Sequence, residues 1–408
     1  MMPIVDRSLP KLRAIDARPI VHGGQASILL RDPLRLTDKT VIIPQHLGPL
    51  LALCDGTRDS SALSAALAIR FGVRLTPSTI EQFLAVLDDA LLLDNDRFAQ
   101  AQERALQEYR QAPFRHPANA GLSYPAEVDK LRQMLQSYLD AVNDVSSSPA
   151  DGRGLICPHI DYARGGTVYA QVWKRASKMA QAAELAVLLG TNHYGRDGQL
   201  TLTRQHYATP FGVLPTAQDI VDAVAQAVGE EMVFADELYH RGEHSIELAA
   251  IWLHYLRDEQ PCALVPILCG SFAPFVRGEA NPQHDPTINR VLDSLRRATA
   301  GRRVLVVAAA DLAHVGPAFG GQPFGLIERV RLQAADEELM ERICVGDAEG
   351  FFTAIQREGD RYNVCGLPPI YLALRLLHPV HGEKVAYLRC PADEQGTSLV
   401  SVCGIVFQ

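Results

Sequence analysis

The chain has no apolar run of the roughly 18 residues that a bilayer-spanning helix needs, so no membrane role is expected. It has no Lys/Arg-rich tract either, and its formal net charge of −8 speaks against the electrostatic footprint of a nucleic-acid binder. The opening residues, Met1-Met2-Pro3-Ile4-Val5-Asp6-Arg7, contain no basic stretch followed by an apolar segment, so nothing in them directs secretion and a cytoplasmic location is expected. The eight cysteines, at 54, 157, 262, 269, 344, 365, 390 and 403, form no C-x-x-C pair. Most lie inside apolar runs, where a reduced thiol behaves as a small hydrophobe, so neither a disulfide framework nor a zinc finger is expected. No internal repeat at solenoid periods is present.

What remains is an ordinary globular composition, 47% apolar and 21% charged, over 408 residues. That length exceeds what one core supports, so two unequal domains are expected. Residues 1–100 read as a small α+β module. Val21 to Leu30 and Val41-Ile42-Ile43 suit short strands around an Asp32-Pro33 turn. Helical runs follow over 45–53, 60–71 and from Thr76-Pro77 to Leu91, with proline acceptable in the first turn. Residues 101–150 read as a helical linker with a helix over 126–142, ending in a loop over 143–152 that is rich in turn formers. From 151 to 408, strand-like runs at 154–158, 185–190, 200–204, 263–269, 303–309, 384–389 and 399–407 alternate with helical ones. That alternation predicts an α/β domain with a mainly parallel central sheet flanked by helices.

The chemistry concentrates in histidines that follow such runs. Gly154-Leu155-Ile156-Cys157-Pro158 leads to His159, and Leu185 to Gly190 leads to Thr191-Asn192-His193. Side chains at the carboxyl ends of parallel strands face the crevice where α/β sheets bind ligands, so two imidazoles are expected at one sheet edge if their strands are neighbours. Glu243-His244-Ser245-Ile246-Glu247 opens a helix, where the dipole keeps His244 neutral and able to accept a proton or a metal. Glu243 either orients His244 or is a first-turn carboxylate, and Glu247 is a helical neighbour. Small residues at 308–310 let something approach closely, and Asp311 and His314 then offer oxygen and nitrogen ligands at a strand end. Two histidines with a carboxylate and open positions suit Fe(II), whereas three nitrogens with a water suit Zn(II). His206 precedes Tyr207-Ala208-Thr209-Pro210-Phe211-Gly212, a hairpin or lid.

Two resemblances add to this reading. The strand pair, the Asp55-Gly56-Thr57 turn and the amphipathic last helix over about residues 10–98 resemble the PqqD-like family, a winged-helix-like module. That resemblance implies an N-terminal precursor-peptide recognition element that captures an extended leader peptide along a strand edge, with a radical enzyme as a further partner. The segments Pro158-His159-Ile160-Asp161-Tyr162, Gly190-Thr191-Asn192-His193, Thr209-Pro210-Phe211-Gly212, Glu243-His244-Ser245-Ile246-Glu247, Pro266-Ile267-Leu268-Cys269-Gly270, Asp311-Leu312-Ala313-His314 and Asn363-Val364-Cys365-Gly366-Leu367-Pro368-Pro369-Ile370 resemble the Memo family, also called AmmeMemoRadiSam system protein B.

The Memo resemblance covers about residues 120–408 and implies the fold of class III extradiol dioxygenases, which use non-haem Fe(II) and an acid/base histidine. It makes His159 and His193 metal ligands, and His244 a third ligand or the acid/base. Some members of that family have a metal-site cysteine where this chain has Ala313, so the thiolate is missing here and the third ligand must be Asp311, His314 or His244, or else a water. The function expected is a metal-dependent oxidoreductase, Fe(II) before Zn(II), acting on a small aromatic or peptide-borne substrate with His244, Asp311 and His314 as catalytic groups. The alternatives are a non-catalytic protein that binds a peptide or phosphorylated ligand in the same pocket, and a remnant that no longer binds metal.

Overall fold

A computed structural model describes residues 9–142 and 151–408. Residues 143–150 of the expected loop, and the segment Met1 to Arg7, lie outside the described residues. The chain divides into two compact units, Met1–Gln111 and Ala112–Gln408.

In the first unit, strands β1 (Asp16–His22), β2 (Gln25–Arg31) and β3 (Val41–Pro44) form an antiparallel sheet in that order. The single strand expected over 21–30 is in fact two. Gly23 and Gly24 both take left-handed φ, 57° and 76°, which closes a tight hairpin with His22 paired to Gln25. Helices α1 (Gly48–Leu53), α2 (Ser60–Phe71), α3 (Pro77–Asp89) and α4 (Asp96–Gln111) follow. The Asp59 and Thr76 side chains cap α2 and α3 by accepting from Ala62 N and Thr79 N. Leu30, Val41, Ile43, Leu87 and Leu92 form one apolar centre, and Leu50, Leu63, Leu67 and Ile80 another. Because α4 runs through residue 100, the expected 101–150 linker is divided between the two units.

The second unit begins with α5 (Val128–Ala141), β4 (Gly154–Cys157), α6 (Tyr162–Arg175), α7 (Ser177–Ala182), β5 (Leu185–Thr191) and β6 (Leu200–Leu202). A hairpin of β7 (Tyr207–Thr209) and β8 (Gly212–Leu214) leads to α8 (Gln218–Val228), α9 (Glu230–Val233), α10 (Ser245–Leu256) and β9 (Ala263–Cys269). Then come α11 (Ala273–Val276), α12 (Pro286–Ala298), β10 (Val304–Ala309) and β11 (His314–Val315). The chain closes with α13 (Leu326–Cys344), α14 (Ala348–Arg357), α15 (Leu367–Leu377), β12 (Gly382–Pro391) and β13 (Leu399–Phe407).

The eight-stranded sheet runs β11-β13-β4-β10-β5-β9-β6, with β12 on β13. It is mixed rather than mainly parallel. β4, β10, β5 and β9 are parallel neighbours, while β6, β11, β12 and β13 pair antiparallel at the two sides. The strand runs at 382–391 and 399–407 are joined by a short connection rather than a helix, so they can pair only as antiparallel neighbours. Alternation along the central strands builds two apolar layers. Leu185, Val187 and Leu189 meet residues of α8, α12, α14 and α15, whereas Ala186 and Leu188 meet residues of α5, α6 and α10. Each fully buried aliphatic side chain contributes about 1.5–3 kcal/mol, so this two-sided burial holds the strand ends as a rigid rim.

Candidate metal centre

His159 leaves β4 after Pro158, and His193 leaves β5 after Asn192. The two strands are not neighbours, because β10 lies between them. Two strand spacings amount to roughly 10 Å, and the residues beyond the strands close that gap. His244 precedes α10, whose first residues sit against the end of β5. A Cβ on Gly190 would meet Ser245 Oγ at 2.5 Å and Ile246 Cγ1 at 2.6 Å, so only glycine permits this seat. Ser245 Oγ donates to Thr191 O at 2.9 Å and fixes it. The three rings converge as a result. Their centroids lie 5.0 Å apart for His159–His193, 5.2 Å for His159–His244 and 4.9 Å for His193–His244.

The sequence reading missed the fourth group. Cys365 Sγ lies 3.1 Å from His159 Nε2, and ligand atoms of His159, His193 and Cys365 all fall within 4.8 Å of one another. A thiol is therefore present, but it comes from the turn before α15 and not from position 313. Ala313 is buried in an apolar cluster with Val315, Leu332 and Leu399. The chain carrying Cys365 passes so close to the end of β10 that position 366 must be glycine: a Cβ there would meet Asp311 O at 2.3 Å and the Ala310 methyl at 2.8 Å. The signal was a cysteine just ahead of a Gly-Leu-Pro-Pro helix start, in a segment read only as part of a family pattern. Burial, with Asp311 nearby, pushes the Cys365 thiol well up, so the group is a thiol until a cation displaces its proton.

Asp311 stands behind His159 rather than beside it as a ligand. Its Oδ1 accepts from His159 N at 2.8 Å, and its Oδ2 lies 3.3 Å from His159 Nδ1, a nitrogen with no aligned hydrogen bond. Burial raises the Asp311 carboxyl to about 6, and burial together with the neighbouring imidazoles holds His159 well below the usual histidine range. His159 is thus neutral and its Nε2 faces Cys365.

Glu243 serves the other two rings. Burial opposes its ionisation, yet His193 and His244 hold its carboxyl well below the usual range. His244 is likewise lowered by burial and raised more by Glu243, so the net direction is up. The helix start alone does not set its charge, as the sequence had suggested; the adjacent carboxylate does. His193 and His244 side chains are 27% and 33% exposed, which leaves the centre open to solvent on one side.

His314 takes no part in either cluster of potential ligand atoms, His159–His193–Cys365 or His193–Glu243–His244. Its ring packs edge-on to Phe319, its Nδ1 lies 3.3 Å from Leu312 O, and burial lowers it to about 4. Its loop is turned because Leu312 N and Ala313 N donate to the Ser401 carbonyl and hydroxyl at 2.8 and 2.9 Å. The expected hairpin forms at β7–β8 and is tied to α10 by Thr209 Oγ1 and His254 Nδ1 at 2.8 Å. His206 Nδ1 accepts from Thr216 N at 3.0 Å, a structural bond.

Beneath the centre Glu247 is fully buried. It accepts from Ala118 N, Asn119 N and Asn119 Nδ2 at 3.0, 3.0 and 3.1 Å, as well as from Tyr124 OH and the Arg115 guanidinium. Arg115 in turn donates to His240 O at 2.8 Å and to Glu243 O at 2.7 Å, so this network supports the backbone that carries Glu243 and His244.

Comparison with known proteins agrees with the segments quoted above. The model of the family described as Memo-like protein matches residues 115–404. A MEMO1 family protein of Aquifex aeolicus is 26% identical over 98% of this chain and 99% of its own length, and so spans the first unit as well. MEMO1 family proteins of Methanocaldococcus jannaschii and Methanopyrus kandleri are each 28% identical, covering 67% and 72% of this chain and 91% and 99% of theirs. With most of its length matched by the family model, including every residue that builds the histidine-rich centre, the chain belongs to the Memo family.

Proposed function

We propose that this centre is a mononuclear metal site serving an oxidoreductase, with His159, His193 and Cys365 as protein ligands and His244 as the acid/base. The observation that carries this reading is the convergence of three imidazoles at 4.9–5.2 Å with a thiol 3.1 Å from one of them. Two imidazole nitrogens and a thiolate are a donor set that fits a first-row divalent metal, Fe(II) in this reading with Zn(II) as its competitor. When bound, Fe(II) supplies open coordination positions for O₂ and an aromatic or peptide-borne substrate, the chemistry of the class III extradiol dioxygenases that the family resembles. The chain's own residues do the rest. Asp311 orients His159 from behind, Glu243 holds the Nδ1 side of His193 and His244, and the Nε2 side of His244 is left to exchange a proton with substrate. Anaerobic purification followed by metal analysis tests the reading. One metal per chain is expected, lost in His159→Ala and Cys365→Ser; protein that stays metal-free under every loading would overturn it.

For the first unit, the supporting observation is that β1 forms an outer edge of its sheet, with Val21 79% exposed. We infer that it acts as a PqqD-like module taking an extended peptide, encoded beside a radical enzyme, onto that edge. Binding of such a neighbouring precursor peptide should weaken in Val21→Lys and survive His159→Ala.

A further inference from the structure

His193 and His244 share a single carboxylate. Glu243 Oε2 lies 2.9 Å from His193 Nδ1, and Oε1 lies 2.9 Å from His244 Nδ1. The backbone N–H groups of His193, His244 and Ser245 donate to the same carboxylate at 3.3, 2.7 and 3.1 Å. Glu243 is 8% exposed, and its own carbonyl is held by Arg115. An ionised carboxylate can only accept, so each Nδ1 that faces it carries a proton and each neutral ring keeps its lone pair on Nε2. The two rings are stacked 4.9 Å apart at 17°, with both Nδ1 atoms on the one carboxylate. His159 is served differently, since Asp311 spends Oδ1 on backbone N–H groups and makes no aligned bond to Nδ1.

We propose that Glu243 is a positioning residue whose one carboxylate sets the tautomer of both His193 and His244, and so decides that both rings turn Nε2 toward the centre. The consequence is specific to the carboxylate. Glu243→Gln keeps the shape but has one acceptor oxygen and one amide donor, so it can retain only one Nδ1–H. The other ring, now facing an N–H, moves its proton to Nε2 and loses the lone pair it would offer. Glu243→Asp keeps both acceptors but withdraws them by one methylene. A residue with a merely packing role would make Gln the milder change and Asp the harsher.

The test reads ring-nitrogen NMR on the metal-free full chain in alkaline buffer, where the imidazoles are neutral, with signals assigned from His193→Gln and His244→Gln. The wild type should show both rings as the Nδ1–H tautomer, and Glu243→Gln one of each. In a parallel anaerobic Co(II) titration, Glu243→Gln should bind about 10–100-fold more weakly, with Glu243→Asp recovering part of the loss. Wild-type rings found as Nε2–H, or tautomers and affinity unchanged in Glu243→Gln, would overturn the proposal; should that variant not fold, the wild-type tautomers decide alone. The affinity arm rests on the metal reading and the tautomer arm does not. A chain with locked tautomers that never takes metal refutes that reading and leaves this one standing.

Discussion

Glu243 and Glu247 sit one helical turn apart at the start of α10, and their neighbourhoods give them opposite roles. On the floor, Glu247 meets Arg115, Tyr124, Asn119 and the Ala118 backbone, and its lone pairs are committed to them. At the mouth, Glu243 meets two partly exposed imidazoles, whose Nε2 atoms remain uncommitted by it. Both carboxylates are buried, so burial does not separate them. What separates them is whether the partners saturate the local hydrogen bonding or pass an unused lone pair onward. A saturated floor contributes stability and a fixed backbone, and an unsaturated mouth contributes reactivity.

The comparison makes graded predictions. The largest concerns the floor. Arg115→Ala leaves Glu247 buried without its cation, and urea unfolding should report a loss of about 3–5 kcal/mol. A loss under about 1 kcal/mol would break the distinction. Next is another buried carboxylate, Asp336, which has the hydroxyls of Tyr387, at 2.8 Å, and Ser401 as partners and feels the charge of Arg389 less than its own burial. Burial moves it from its ordinary 3.8 up to about 6. Ionisation therefore costs the folded state about 3 kcal/mol, a penalty that is absent below the ordinary value, grows as pH rises between the two and is complete above about 6. Asp336→Asn should be more stable than the parent at neutral pH, with the gap closing on acidification, as read from unfolding free energies at several pH values. Glu247 predicts the opposite sign. Burial opposes its ionisation, but Arg115 and the hydrogen bonds lower it overall, so its contribution is present above 4.5 and lost as pH falls below that. The smallest effect is at the mouth. His193→Ala should cost under about 2 kcal/mol, less than Arg115→Ala, because its side chain is 27% exposed and His244 and three backbone N–H groups still serve Glu243. A loss comparable to that of Arg115→Ala would merge the two regions into one.

Much of the second unit was legible. The strands ending before His159 and His193 and the helix starting at Ser245 lie where apolar runs and start signals placed them, since continuous burial on both faces leaves a strong pattern. The first unit was less so: a Gly-Gly turn inside one apolar stretch split a strand in two. Asp311 and His314 shared a short motif, yet the structure puts Asp311 behind His159 and turns His314 toward Phe319. Hydrogen bonds from Leu312 and Ala313 to Ser401, about 90 residues away, decide that, and no local pattern records them.

From sequence alone came most elements of the second unit, the three histidines that meet and the family, because these depend on local periodicity and on short motifs. The tertiary structure alone decided that β10 separates β4 and β5, that Cys365 rather than residue 313 supplies the thiol, and that Glu243 joins two rings. Those outcomes depend on strand order and on close approaches at Gly190 and Gly366, where residues 55 to 56 positions apart come into contact. Strand order and such contacts between distant segments are set by how layers pack, which no window along the chain contains.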